Sequence, residues 1–134
     1  MSVPSSILSL PETLLISRVA QGAKAEDLAL CHLEAQGLTL VTRNFRCRMG
    51  ELDLIMRDDG YLVFVEVRSR RYTRYGTPAE SVTPAKQQKL LRAAAFYLQC
   101  ERLDLPCRFD VVAILRPASV EPQVEWIRDA FQLN

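Results

Sequence analysis

The chain has 134 residues, 49% of them hydrophobic and 25% charged, a globular balance that argues against extensive disorder and suits one packed core. Its net charge of +1 sets up no global field for a polyanion, and the four cysteines (Cys31, Cys47, Cys100, Cys107) form no C-x-x-C pair of the kind a zinc knuckle needs. No apolar run is long enough to span a bilayer and Met1–Leu10 lacks the basic start of a signal peptide, so no membrane partner is expected and the cytoplasm, with its reduced thiols, is the expected compartment.

In chain order, residues 1–11 hold two prolines and four serines and read as a loose tail, with one domain from 12 to 134. A helical pattern runs from about Glu12 to Gln36, as one helix or as two broken near Gly22. Its firmest part places Ala25, Ala29 and Leu33 at helical spacing, and Gly37 is a C-cap candidate. Leu38 to Asn44 reads as a strand. Leu52 to Arg57 and Tyr61 to Arg68 read as the two arms of a hairpin around Asp59-Gly60. Tyr72 to Val82 is a polar loop. Thr83 as N-cap and Pro84 at the first position then open a helix to about Cys100, with Leu90, Leu91, Ala94 and Leu98 as its apolar stripe. Cys107 to Leu115 and Val124 to Ile127 read as closing strands. This order predicts an α/β fold, a central mixed sheet flanked by helices.

The hairpin carries the chemistry. With a two-residue loop at Asp59-Gly60, paired positions sum to 119, which sets Asp53 opposite Glu66 and Glu51 opposite Arg68. Period-two alternation puts these four on one face with Ile55, Leu62 and Phe64, and puts Leu52, Leu54, Met56, Val63, Val65 and Val67 on the other. Two apolar faces imply a central strand pair covered on both sides. Like charges facing each other there are unfavourable, more so when desolvated. A divalent cation such as Mg²⁺ relieves this; an ordinary charge network with Arg68 is the competing explanation.

Glu51-Leu52-Asp53-Leu54-Ile55 and Phe64-Val65-Glu66-Val67-Arg68 resemble the D…(D/E)-x-K motif of restriction-endonuclease-like nucleases. More closely, Gly50 to Ile55, Val63 to Arg71, Tyr75-Gly76, Ser81 to Leu91, Cys107 to Val112, Glu125-Trp126-Ile127 and Asp129-Ala130-Phe131 resemble the YraN family of bacterial proteins. That family is regarded as distantly similar to archaeal Holliday-junction resolvases. The resemblance implies a restriction-endonuclease-like fold and a Mg²⁺- or Mn²⁺-dependent endonuclease acting on DNA, at branches or ends. It implies Asp53 and Glu66 as metal ligands, the Val67 carbonyl as a third oxygen, and Glu26 as an acid reaching the site from the first helix. A solvated helix face is the other reading of Glu26. Resolvase-like relatives also suggest a homodimer. Arg68 stands where the superfamily has lysine. Arginine cannot serve as a base at ordinary pH, so Arg68 would hold the scissile phosphate and activation of water would fall to the cation.

Between Val41 and Tyr75 there are eight arginines against five acids. Arg70, Arg71, Tyr72 and Arg74 follow the Glu66 strand and suit phosphate contact and base stacking. Lys86, Gln87 and Lys89 open the next helix, whose N-terminus favours phosphate. Such backbone contacts select nucleic-acid structure rather than sequence. Asp110 has a place in pairing with an arginine or in supporting the site, and the lone His32 is assigned no role. The alternative to a nuclease is a non-catalytic nucleic-acid-binding or interaction module on the same fold; a purely structural partner protein is a third reading.

Overall fold

The computed structural model describes residues 18–71, 82–116 and 121–132. Within them, α1 (Arg18–Ala35), β1 (Thr39–Cys47), β2 (Gly50–Asp58), β3 (Tyr61–Arg71), α2 (Pro84–Glu101), β4 (Cys107–Arg116) and β5 (Gln123–Phe131) succeed one another. The expected tail, the first turns expected from Glu12 and residues 72–81 of the expected loop lie outside the described residues. α1 is continuous through Gly22.

The strands form one sheet in the order β1-β2-β3-β4-β5. Neighbours are antiparallel except β3 and β4, whose parallel pairing requires a crossover that α2 supplies. This is the expected α/β class, a mixed sheet with flanking helices.

Local chemistry sets the element ends. Gly37 adopts φ 102°, a conformation open to a residue without Cβ, and the Leu38 N–H donates back to the Leu33 carbonyl at 3.1 Å to close α1. Asp59 turns the hairpin at φ 60°, and Asp58 pairs with Tyr61. Thr83 caps α2: its Oγ1 accepts the Lys86 N–H at 3.2 Å, with Pro84 following. β1 and β5 both outrun the sequence reading, which ended them at Asn44 and Ile127. They are the edges of the sheet, and their mixed, half-exposed residues carry a weak alternation signal.

The sheet buries both faces. Against α1 lie Leu54, Met56, Val63, Val65, Val112 and Ile114 with Ala25, Ala29 and Leu33. Against α2 lie Leu52, Ile55, Leu62, Phe64, Phe109 and Val111 with Leu90, Leu91, Ala94 and Tyr97. Phe64 stacks on Phe109 (5.2 Å between centroids) and meets the edge of Tyr97 (6.2 Å), contacts each worth about 1 kcal/mol beyond area burial. His32 and Trp126 meet edge-to-face, with 6.3 Å between ring centroids.

Asp110 does pair with an arginine. Fully buried, it accepts from Arg108 Nε (3.1 Å), Trp126 Nε1 (2.9 Å) and the Asp129 N–H (2.9 Å). Asp129 sits at φ 52° where the β4–β5 register shifts between Phe109 and Val111. The carboxylate thus satisfies a backbone donor that the bulge removes from the ladder. Arg108 continues to Asp58 at 2.8 Å, where Arg128 joins at 2.9 Å. The Arg108 hydrogen bond, aided by Arg128, holds the Asp58 carboxyl below its ordinary pKa. These partners tie β2, β4 and β5 together, so the role of Asp110 is architectural.

Candidate metal centre

β2 and β3 pair as the sum of 119 requires, from Asp58–Tyr61 to Leu54–Val65. The ladder then stops one pair short of Asp53 and Glu66. In place of backbone pairing, Asp53 Oδ2 accepts the Val67 N–H at 2.8 Å.

Across the sheet, β1 departs from regularity at the same level. Arg43 pairs with Leu54 and Phe45 with Leu52, yet Asn44 and Asp53 between them do not pair, and Asn44 is left-handed at φ 56°. Regular alternation would put Arg43 and Phe45 on one face, and Leu52 and Leu54 on one face. Instead, Arg43 reaches α1 and Leu54 packs there, while Phe45 and Leu52 pack with α2. The expected grouping of Leu52 with Leu54 is therefore wrong, because both strands exchange faces at this step. Asn tolerates the left-handed backbone better than bulkier residues, and Asp53 lies at the point where β2 leaves β3.

Glu66 is 5% exposed on β3. Two cations converge on its Oε2: Arg68 at 3.4 Å and Lys86, from the first turn of α2, at 3.5 Å. Glu51 was expected opposite Arg68. It pairs instead with Arg46, at 3.1 Å across β1–β2. Glu26 projects from α1 with its side chain only 17% exposed, 3.5 Å from Arg43, which also binds Asp27 at 2.9 Å. The Glu26 side chain is thus mostly covered and ion-paired. Its burial raises its pKa, while Arg43 and the Asn44 amide pull the other way.

Compensation within this group is uneven. Burial, then the negative charge of Glu66, push the Asp53 carboxyl up to about 8; Glu26 and Glu51 add to the rise and the Val67 N–H opposes it. In the protein alone, Glu66 is thus compensated by Arg68 and Lys86, and Asp53 by a proton near neutrality.

The donor set is two carboxylates on neighbouring strands plus backbone oxygen. Among the described residues, no three His, Cys, Asp or Glu side chains come together as a metal cage. Two carboxylates suit Mg²⁺ or Mn²⁺, which retain several waters, and do not suit a closed zinc site. A proton that a cation can displace, on a carboxyl beside a second carboxylate, fits such an ion.

Of the other candidates, Arg70 is half-buried and, with Val67, Arg68 and Ser69, lines a cavity of about 390 Å³. The Arg70 Nε is buried without a hydrogen-bond partner. Arg71 ends β3; Tyr72 and Arg74 lie outside the described residues. Gln87 is committed elsewhere, donating from Nε2 to the Val82 carbonyl at 2.9 Å. Lys89 is exposed beside Gly50, where an added Cβ would sit 3.8 Å from the Lys89 Cβ. Sequence reasoning assigned Lys86 to phosphate and missed its contact with Glu66. It also missed Asn44 and Arg43; the Arg43-Asn44 pair opposite Asp53 becomes visible only once β1 is placed beside β2.

All four cysteines are free, and among the described residues no helix is long and apolar enough to cross a membrane. Residues 25–114 match the profile of an uncharacterised protein family, UPF0102. Relatives called UPF0102 proteins include one from Nitrosomonas europaea, 50% identical over 111 residues (83% of this chain, 92% of the relative). A second, from Cupriavidus taiwanensis, is 53% identical over 120 residues (88% and 87%), and a third, from Stutzerimonas stutzeri, 51% over 115 (84% and 95%). The family description and these names carry no function. With two thirds of the chain inside the family profile and half the residues shared with relatives over nearly their whole length, the chain belongs to the UPF0102 family, the YraN proteins.

Proposed function

We propose that this protein is a cytoplasmic, divalent-metal-dependent endonuclease that hydrolyses phosphodiester bonds in DNA. The observation that carries the reading is the end of the β2–β3 ladder at Asp53. Its carboxyl is held by the Val67 N–H beside buried Glu66 and retains a proton near neutrality. A structural ion pair has no need of a carboxyl kept protonated.

Asp53 and Glu66 would hold Mg²⁺ or Mn²⁺. The N–H and carbonyl of one strand residue face the same side, so the Val67 carbonyl shares the edge on which its N–H meets Asp53, which supports its role as a third oxygen. When bound there, the cation supplies Lewis acidity toward phosphate and a lowered pKa for water. The residues of the chain supply the rest. Arg68 and Lys86 hold the scissile phosphate and stabilise charge as it grows on the phosphoryl oxygens. Arg70 extends the cationic path along β3, and Arg71, Tyr72 and Arg74 follow it in sequence. Lys89 lies one turn beyond Lys86. Glu26, kept near the site by Arg43, would accept a hydrogen bond from water facing Asp53.

The test is a cleavage panel of duplex, single-stranded, flap and four-way DNA with Mg²⁺ or Mn²⁺. Wild type is expected to cut at least one substrate, and Glu66→Ala to cut at least 100-fold more slowly with DNA binding retained. A second reading, a binding module on the nuclease fold, draws on one observation: Glu66 already has two cationic partners. It requires no cleavage in any lane and unchanged or tighter DNA binding by Glu66→Ala through reduced repulsion.

A further inference from the structure

We propose that Lys86 is shared between Glu66 and the substrate, leaving the carboxylate for a DNA phosphate when a divalent cation arrives, so that metal and DNA bind cooperatively through this one side chain. The proposal rests on the metal-site reading above and adds a linkage to it.

The geometry behind it is the crowding of one oxygen. Lys86 Nζ and Arg68 Nη1 lie 3.5 and 3.4 Å from the same Glu66 Oε2. A cation ligated by Glu66 competes with both for that carboxylate and repels them. The two differ in freedom to respond. Arg68 is on the same strand as Glu66, two residues away, with its side chain 27% exposed. Lys86 comes from a different element, is 43% exposed, and has a flexible four-carbon stem. Its own backbone is fixed by the Thr83 cap, so release moves the ammonium and leaves the helix in place.

Position decides where the ammonium goes. Lys86 stands in the first turn of α2, whose partial positive charge already disfavours an uncompensated cation there. Among the described residues, Glu66 is its carboxylate partner. Without that partner, a phosphate seated against the cation offers the nearest compensation. Lysine missing from position 68 is thus supplied from α2, as a point charge able to follow the phosphate. Arg43 answers to Glu26 and Asp27, and Lys89 belongs to the next turn, so neither substitutes for it.

Linkage makes this measurable, because a gain in DNA affinity on adding metal must equal the gain in metal affinity on adding DNA. The full chain is titrated with fluorescent four-way and duplex DNA, with and without Ca²⁺ to bind without supporting cleavage, as wild type, K86M, K86R, E66Q and the double variant E66Q/K86M. Mn²⁺ affinity is measured without DNA in parallel. Ca²⁺ is expected to tighten wild-type DNA binding about tenfold or more, K86M to lose most of that gain, and K86R to restore part of it. Without DNA, K86M is expected to bind Mn²⁺ several-fold more tightly, because a competing cation is gone. Without metal, E66Q is expected to tighten DNA binding more in the Lys86 background than in K86M. If K86M keeps the full metal-dependent gain and binds Mn²⁺ no more tightly than wild type, the Lys86 proposal is overturned and the metal site stands. If wild type binds neither Mn²⁺ nor Ca²⁺, the metal reading falls and this proposal with it.

Discussion

Asp53→Asn is expected to abolish divalent-cation binding and any cleavage while removing the pH dependence that Asp53 gives the metal-free fold. Asparagine keeps an oxygen for the Val67 N–H and mimics the protonated carboxyl. The folded-state pKa of about 8 lies above the ordinary 3.8. Between those values the folded state holds one proton more than the unfolded state, so stability must fall as pH rises. The contribution is complete below about pH 4 and lost as pH passes through about 8. The slope is at most about 1.4 kcal/mol per pH unit, since one proton is involved. Urea titrations in chelator from pH 5 to 9 should show this decline in wild type and a nearly flat line in Asp53→Asn. Mg²⁺ should flatten the wild-type line by replacing the proton. A wild-type slope that survives the substitution would assign the decline to other groups.

Asp110→Ala is expected to cost about 3–5 kcal/mol, the usual penalty for stripping one partner from a buried charge pair. Arg108 keeps Asp58, but the Trp126 indole N–H and the Asp129 N–H lose their acceptor. A buried donor without a partner costs about 1–3 kcal/mol. Asp110→Asn preserves an oxygen for one of them and should cost roughly half as much. For a domain of this size the alanine variant should melt roughly 10 °C or more below wild type. Divalent-cation affinity in the protein that remains folded should be unchanged, because the Asp110 carboxylate bonds to Arg108, Trp126 and Asp129 rather than to Asp53, Glu66 or Lys86. A joint loss of stability and metal affinity would connect the two regions and contradict the architectural assignment.

Much of this arrangement is legible in the sequence where chemistry is local. Asp59-Gly60 fixes a register that holds along the hairpin to Leu54–Val65, and Thr83-Pro84 starts α2 where a cap and a donor-free residue must. The same arithmetic sets Asp53 opposite Glu66, one step beyond the last pair that forms. What the arithmetic misses is the exchange of faces at Asn44 and Asp53, since period-two alternation assumes an unbroken ladder. Leu52 was misplaced for that reason, and Glu51 was given Arg68 instead of Arg46. Tyr97 was overlooked because its hydroxyl reads as polar, although its ring fills the space between Phe45 and Phe64. Lys86 was assigned by helix position alone; its approach to Glu66 depends on how α2 docks, a long-range fact with no local signature. Asp110 was read as a partner for arginine or a support near the site; its donors Trp126 and Asp129 were missed because they meet it at a bulge that forms only when β5 docks.

The most direct measurement is Mn²⁺-induced line broadening of amide resonances at pH 8, with stoichiometry from titration calorimetry, for wild type, Asp53→Asn and Glu66→Gln. One ion per chain, selective broadening at Asp53, Glu66 and Val67, and loss of both signals in either variant are expected. Absence of binding with and without DNA, or an ion that persists in both variants and broadens resonances elsewhere, would contradict the assignment of Asp53 and Glu66 as a metal centre.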